Sequence, residues 1–194
     1  MEDQILQEGK FSYIERGAGK PIIILHGLMG GLSNFQGVSD YFPSKGYRVL
    51  IPELPIYDMP MLKTTVKNFA KFLEEFIEFK GLEDVILLGN SLGGHIGLLH
   101  TKLYPKMVKA LVITGSSGLY EKAMGDGYPR RGDYEFIRKK AQDVFYDPEV
   151  ATKEIVDEVF ANLFWIEKCG HAPMMEHPEE FNSVLETWLE ERNF

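Results

Sequence analysis

A serine set between glycines is the feature of this sequence with the clearest chemical meaning. The run from Gly89 to Gly94 reads GNSLGG, so glycines stand two positions before and after Ser91. It follows an apolar run typical of a buried strand and precedes a run typical of a helix. A serine on such a strand-to-helix turn exposes its hydroxyl above the sheet, where it can act as a nucleophile. We expect the backbone N–H of Leu92, at the start of the helix, to stabilise an oxyanion.

A glycine-rich turn in which Ser91 only caps a helix is the alternative interpretation, since the bare pattern often occurs by chance. The order of strand, motif and helix favours the nucleophile. A second loop supports it, because His26 and Gly27 directly follow another buried-strand candidate. Loops at the carboxyl ends of neighbouring parallel strands build the sites of open α/β sheets. We therefore expect the N–H of Leu28 to be the second oxyanion donor, and His26 itself to be structural.

A serine nucleophile needs a general base, and four further histidines are available. His95 and His100 lie inside the helix predicted after Ser91 and are interpreted as packing or surface residues. His177 is assigned to the start of the C-terminal helix. His171 comes just after the last strand candidate, at the carboxyl edge of the sheet. We therefore predict His171 as the base, the alternative being an ordinary loop histidine.

Alternating strand and helix patterns position these residues and predict a mostly parallel sheet covered on both faces. We expect the first strand to form a hairpin with the next one. The strand candidates are Phe11–Arg16, Pro21–Leu25, Tyr47–Ile51, Asp84–Leu88, Val108–Thr114 and Leu163–Glu167. The helix candidates are Phe35–Ser44, Thr64 or Thr65 to Phe79, Ser91–Tyr104, Tyr134–Phe145, Lys153–Asn162 and a helix from Pro178.

Composition limits the class of protein. The 194 residues fit one domain, and 44% hydrophobic residues are enough for an ordinary core. A formal net charge of −8 opposes binding to nucleic acid or to anionic membranes. The single cysteine, Cys169, fits a reducing compartment, and the acidic amino terminus lacks a signal core, so we expect a cytoplasmic location. Metal-ligand spacing and nucleotide motifs are absent from the sequence, so no cofactor is expected; a small molecule is the expected partner.

Together these motifs resemble the α/β-hydrolase superfamily over nearly the whole chain. The segment Cys169–Pro178 is similar to the C-terminal histidine segment of small carboxylesterases and meta-cleavage-product hydrolases. The resemblance implies an α/β-hydrolase fold with Ser91 as nucleophile, His171 as general base, and Leu28 and Leu92 as oxyanion donors. It also implies three segments: residues 1–114 as the N-terminal part of the core, 115–162 as a short helical lid, and 163–194 as the C-terminal part.

The chain also departs from the family pattern. Family members carry a strand, a loop with the catalytic Asp and a helix between the lid and the histidine strand, whereas Asn162 runs almost directly into Leu163 here. One strand, one helix and the acid are therefore missing. The segment belongs to the molecule but not to this sequence, or it is deleted, or the acid comes from elsewhere. Glu121 and Asp126 are weak candidates for that acid, which we leave unassigned.

The expected reaction is hydrolysis of small carboxylic esters through an acyl-enzyme, impaired if the acid is absent. A carbon–carbon bond hydrolase acting on dienoate-type ketones is one alternative. Arg130 and Arg131 could bind a substrate carboxylate, although a solvated lid surface is their more ordinary role. A binding protein that keeps the fold without catalysis is the other alternative. The sequence leaves the substrate and the oligomeric state open.

Overall fold

The computed structural model describes residues 4–28, 32–115 and 166–194, with shorter stretches at 134–135, 138–139, 149, 152–154, 156–157 and 164. The chain divides into two compact units, Met1–Leu119 with Lys168–Phe194, and Tyr120–Glu167. In the second unit, residues 134–135, 138–139, 153–154 and 156–157 are helical, within the two helices predicted there. Most of the segment expected to be a lid, including Glu121, Asp126, Arg130 and Arg131, lies outside the described residues.

The first unit is built on a six-stranded sheet in the order β1-β2-β4-β3-β5-β6. Strands β1 and β2 pair antiparallel, as do β2 and β4, and the pairs β4–β3, β3–β5 and β5–β6 are parallel. The strands are β1 (Leu6–Glu8), β2 (Phe11–Gly17), β3 (Lys20–Leu25), β4 (Tyr47–Pro52), β5 (Val85–Asn90) and β6 (Val108–Thr114). The predicted α/β class and mostly parallel sheet are confirmed.

The predicted hairpin between the first strand and the next is wrong, because β4 lies between β2 and β3. The turn joining β2 to β3 passes close to the start of β4: a Cβ on Gly17 would lie 2.5 Å from the Tyr47 carbonyl oxygen. The Lys20 N–H also donates to the Gly46 carbonyl at 3.2 Å. A strand as apolar on both faces as β3 is buried between two neighbours, which places it inside the sheet. The short β1, which pairs with β2 instead, was not predicted.

The strand predicted over Leu163–Glu167 is also not found where it can be tested. Phe164, Ile166 and Glu167 are described, and none of the three is in a strand. Phe164 and Glu167 are exposed and Ile166 is only partly buried, so these residues lack the burial that a strand inside the sheet would have.

Five helices of the first unit support the sheet or lead to the site: α1 (Gln36–Tyr41), α2 (Val66–Phe79), α3 (Leu92–Leu103), α4 (Pro173–Glu176) and α5 (Pro178–Glu191). The predicted cap of α2 is confirmed, because the Thr65 side chain accepts from the Asn68 N–H at 3.2 Å. The predicted helix from residue 35 is a short α-helix between two 3₁₀ segments, and it ends at Gly46 in the left-handed region, φ 83°. The single turn α4 was not predicted.

The core lies on both faces of the central strands. Residues 22–25 of β3 are fully buried, and every residue of β5 is buried. Helix α2 packs Phe69, Phe72 and Phe76 against the sheet, with Phe11 and Phe76 rings 5.4 Å apart. Because close packing holds β3 and β5 in place, the loops that follow their carboxyl ends begin at well-defined positions. Within the described residues, no helix is both long and apolar enough to cross a membrane.

Candidate active site

Ser91 occupies a strained turn between β5 and α3. Its backbone has φ 54° and ψ −118°, outside the regions that residues with a Cβ ordinarily adopt. The N–H of Ser91 donates to the Thr114 carbonyl at 3.1 Å, and its own carbonyl accepts from the His95 N–H at 3.2 Å. These bonds hold the turn from both sides. Backbone strain of this kind persists only where the surroundings enforce it, and it is found most often at functional sites.

Two glycines make this turn possible because, lacking a Cβ, they allow the backbone of α3 to lie very close to that of β3 and β5. A Cβ on Gly89 would lie 2.5 Å from the Gly93 carbonyl oxygen, and a Cβ on Gly93 would overlap the Leu25 carbonyl at the end of β3. A side chain at either position would therefore push α3 away from the sheet. This explains physically why glycine stands two residues before and after Ser91.

The structure brings the His26–Leu28 loop beside Ser91, as the sequence predicts. A Cβ on Gly27 would lie only 3.2 Å from the Ser91 Cβ. The Leu28 carbonyl accepts from the Tyr57 hydroxyl at 3.0 Å, and both side chains are exposed. Leu92 is the first residue of α3, so its N–H has no carbonyl one turn earlier to bond. Of the two expected oxyanion donors, Leu92 therefore follows Ser91 directly, and Leu28 follows Gly27, which lies against Ser91.

His26 itself is held by the backbone. It is buried, its Nε2 accepts from the Leu54 N–H at 3.1 Å, and its Nδ1 lies 3.0 Å from the Gly27 carbonyl. Since Nε2 accepts, the proton sits on Nδ1 and is donated to Gly27. This arrangement fixes the loop that precedes Leu28, as expected for a structural histidine.

His171 is linked to Ser91 through Asn90. The buried Asn90 side chain donates from Nδ2 to the His171 carbonyl at 2.9 Å and to the Thr114 carbonyl at 3.1 Å. The His171 ring lies against Gly115, where an added Cβ would be 2.6 Å from its Nδ1. Both Ser91 and His171 are thus anchored to the carboxyl end of β6. Within the described residues, the Ser91 hydroxyl makes no hydrogen bond, so the link to His171 is made by the side chain of the neighbouring Asn90 and not by the hydroxyl itself.

Glu176 was missed by the sequence reasoning. Its carboxylate accepts from the Gly170 N–H at 2.9 Å and from the Ala172 N–H at 3.4 Å, on either side of His171. A glutamate five residues after a loop histidine is not by itself a sequence signal for such a contact. The signal would have been Pro173, which starts a single helical turn that folds Glu176 back.

The other histidines take the structural places expected of them. His100 is buried between α2 and α3 with its Nδ1 3.1 Å from the Ala70 carbonyl, and burial lowers its pKa. His95 is partly buried in α3, and His177 precedes α5, where its carbonyl accepts from the Phe181 N–H at 2.9 Å. None of the three lies in a loop whose main chain is bound by Asn90, as that of His171 is.

Neither a cysteine nucleophile nor a metal site is supported in the described part of the chain. Burial raises the pKa of the Cys169 thiol, and the carboxylates of Glu176 and Glu180 raise it further, so the thiol is not activated as a nucleophile. No group of three or more His, Cys, Asp or Glu side chains among the described residues could hold a metal ion.

Comparison with known proteins assigns this chain to a protein family. Residues 20–147 match the family profile described as the alpha/beta hydrolase fold, so the chain belongs to that family. A solved structure, MGS-MChE2, an alpha/beta hydrolase enzyme from the sediment metagenome of the Mar Chica lagoon, Morocco, is 52% identical to this chain. The match covers 99% of this chain and 100% of that one, with a TM-score of 0.77.

Curated relatives are hydrolases of two kinds. The 2-hydroxy-6-oxo-6-(2'-aminophenyl)hexa-2,4-dienoic acid hydrolase of Metapseudomonas resinovorans is 23% identical over 255 residues, 93% of this chain and 87% of that protein. Lipase 1 of Psychrobacter immobilis is 33% identical over 118 residues, 57% of this chain but only 37% of that protein. The first alignment is longer than the 194-residue chain, so part of that relative has no counterpart here.

Proposed function

We propose that this protein is a serine hydrolase that cleaves small carboxylic esters, with Ser91 as nucleophile and His171 as general base. The observation that carries the proposal is the strained backbone of Ser91, φ 54°, on a turn tied through Asn90 to the main chain of His171. The strained backbone at Ser91 does not stabilise the fold, but it exposes a reactive hydroxyl above the sheet.

The reaction proceeds in two steps. His171 takes the proton of the Ser91 hydroxyl while Oγ attacks the ester carbonyl, and the Leu28 and Leu92 N–H groups bind the oxyanion. The alcohol leaves with the proton returned by His171, which leaves an acyl-serine. His171 then takes a proton from water, which attacks the acyl group, and returns that proton to Ser91 Oγ as the carboxylic acid leaves. A missing orienting acid typically costs about 10⁴ in rate, so slow turnover is expected.

Labelling with a fluorophosphonate tests the assignment directly, because the reagent reports an activated serine without needing the natural substrate. Wild-type protein should be labelled and Ser91→Ala should not. Ser183→Ala, which removes an exposed hydroxyl from α5, is the matched control and should label like the wild type. Unchanged labelling of Ser91→Ala would refute the nucleophile. Absence of any Ser91-dependent labelling or p-nitrophenyl acetate hydrolysis would favour a non-catalytic binding protein.

Carbon–carbon bond hydrolysis of a dienoate-type ketone is the second candidate, favoured by the relatives that are named as dienoate hydrolases. The same serine and histidine would serve it, and the substrate would have to supply the rest of the chemistry. Measuring kcat/KM for p-nitrophenyl acetate and for a 2-hydroxy-6-oxo-dienoate on one preparation separates the two. A higher value for the dienoate would replace the ester assignment.

A further inference from the structure

We infer that Glu176 is a positioning residue for His171, acting through the backbone of the histidine loop. The inference rests on the proposed function, because it assigns a role within the same site. Glu176 ends the single turn α4, and its carboxylate returns to the loop that precedes that turn. The two N–H groups it binds, those of Gly170 and Ala172, belong to the residues that flank His171.

The peptide bond between His171 and Ala172 is held at both of its polar ends. Its carbonyl accepts from the Asn90 side chain at 2.9 Å, and its N–H donates to Glu176 Oε1 at 3.4 Å. The peptide bond before Gly170 is held as well, through its N–H and Glu176 Oε2 at 2.9 Å. The peptide that follows His171 is fixed at both of its polar ends, and the Cys169–Gly170 peptide is fixed one residue before the peptide that precedes His171. Together these bonds restrict the direction of the His171 Cα–Cβ bond.

The surroundings of the His171 ring add to the importance of these backbone hydrogen bonds. Within the described residues, no carboxylate forms an ion pair or hydrogen bond with the exposed His171 ring. The ring instead lies against Gly115, close enough that a Cβ there would reach 2.6 Å from Nδ1. The hydrogen bonds to the main chain of His171 therefore contribute to the orientation of its ring. A hydrogen bond from a backbone N–H to a charged carboxylate is stronger than one to a neutral oxygen, which suits this purpose.

Glu176 is held in place by the local backbone. The Glu176 N–H donates to the Ala172 carbonyl at 3.0 Å, and the His177 N–H donates to the Pro173 carbonyl at 2.9 Å. Pro173 fixes one backbone angle at the start of the turn. A Cβ on Gly170 would lie 3.0 Å from Glu176 Oε1, so the carboxylate packs directly on the loop.

The test compares Glu176→Ala and Glu176→Gln with Glu179→Gln, which changes an exposed carboxylate in the first turn of α5. Active sites are counted by fluorophosphonate titration, so kcat refers only to folded, competent molecules. We expect Glu176→Ala to lower kcat per active site by about 10- to 100-fold with KM nearly unchanged, since small misplacements of a catalytic group have effects of this size. Glu176→Gln keeps one oxygen acceptor and should recover part of the rate, and Glu179→Gln should equal the wild type.

Amide hydrogen exchange supplies a readout that does not depend on turnover. The Gly170 and Ala172 amides should exchange faster in Glu176→Gln than in the wild type, while those of α3 stay unchanged. Unchanged kcat per active site in both Glu176 variants, or unchanged exchange at both amides, would overturn the role of Glu176 alone. A wild-type protein without Ser91-dependent labelling would refute the proposed function, and the inference with it. If Glu176→Ala does not fold, the near-isosteric Glu176→Gln decides the same questions.

Discussion

Replacing Ser91 by glycine should stabilise the protein relative to replacing it by alanine, although both variants lose the hydroxyl. With φ 54° and ψ −118°, the backbone at Ser91 is one that a Cβ disfavours and that glycine adopts readily. Alanine keeps the Cβ and therefore the strain, and glycine removes both. The comparison isolates the conformational cost of the turn from the loss of the nucleophile.

The size of the effect follows from two opposing terms. Relief of an unfavourable backbone conformation of this kind is worth about 1–3 kcal/mol. Glycine gives back about 0.4–1 kcal/mol because it makes the unfolded chain more flexible. The free energy of unfolding of Ser91→Gly should therefore exceed that of Ser91→Ala by about 0.5–2 kcal/mol. For a chain of this length, that difference raises Tm by about 1 to 8 °C.

Urea unfolding followed by circular dichroism measures both variants, with Tm as a second readout. The control is the same pair of substitutions at Lys71, an exposed residue in the interior of α2. There the order should reverse, with glycine less stable than alanine by about 1 kcal/mol. If Ser91→Gly is no more stable than Ser91→Ala while the Lys71 pair behaves as stated, the turn at Ser91 stores no strain.

Two further predictions concern the loop beside Ser91 and the contact of α5 with the end of α1 and the 3₁₀ segment that follows it. Gly27→Ala places a Cβ 3.2 Å from the Ser91 Cβ and should lower kcat on the order of 10-fold by shifting the nucleophile. Gly97→Ala should not, because its Cβ would meet only the movable side-chain ends of Leu111 and Leu25. Equal kcat in Gly27→Ala and wild type would contradict this. Hydrogen bonds from Lys45 and then Tyr41 lower the pKa of the Glu186 carboxyl below 4.5. Its stabilising effect is therefore complete above that pH and is lost as the pH falls through the lowered pKa. The difference in unfolding free energy between wild type and Glu186→Gln should shrink from about pH 6 to about pH 3, and a constant difference would show that the contact does not contribute.

Sequence periodicity was sufficient for the elements that are buried on a regular face. The apolar repeat of α2 and the short apolar runs of β3 and β5 correspond directly to buried positions in the structure. Pairing between strands was less predictable, because it depends on contacts remote in sequence. The pairing of Tyr13 with Pro52 across β2 and β4 has no local signal, so a hairpin with the adjacent strand was expected instead.

In the candidate site, too, the sequence predicted local motifs but not the contacts between residues remote in sequence. Residues that mark a turn by their own type, such as Ser91 with its flanking glycines, were located correctly next to the His26–Leu28 loop. The Asn90 and Glu176 contacts to the His171 loop were not foreseen, because they bind backbone atoms that every residue possesses. Their roles in catalysis, like that of His171, stay predictions.

The strand order β1-β2-β4-β3 determines when each strand can pair with its neighbours while the chain is being synthesised on the ribosome. Strands β1 and β2 can form their hairpin as soon as they emerge, but β2 has no second neighbour until β4 follows some thirty residues later. Until then the edge of β2 that pairs with β4 keeps its backbone N–H and C=O groups unpaired and open to other nascent chains. Pairing with β4, which begins directly after the left-handed turn at Gly46, covers this edge and ends the interval in which it can associate wrongly.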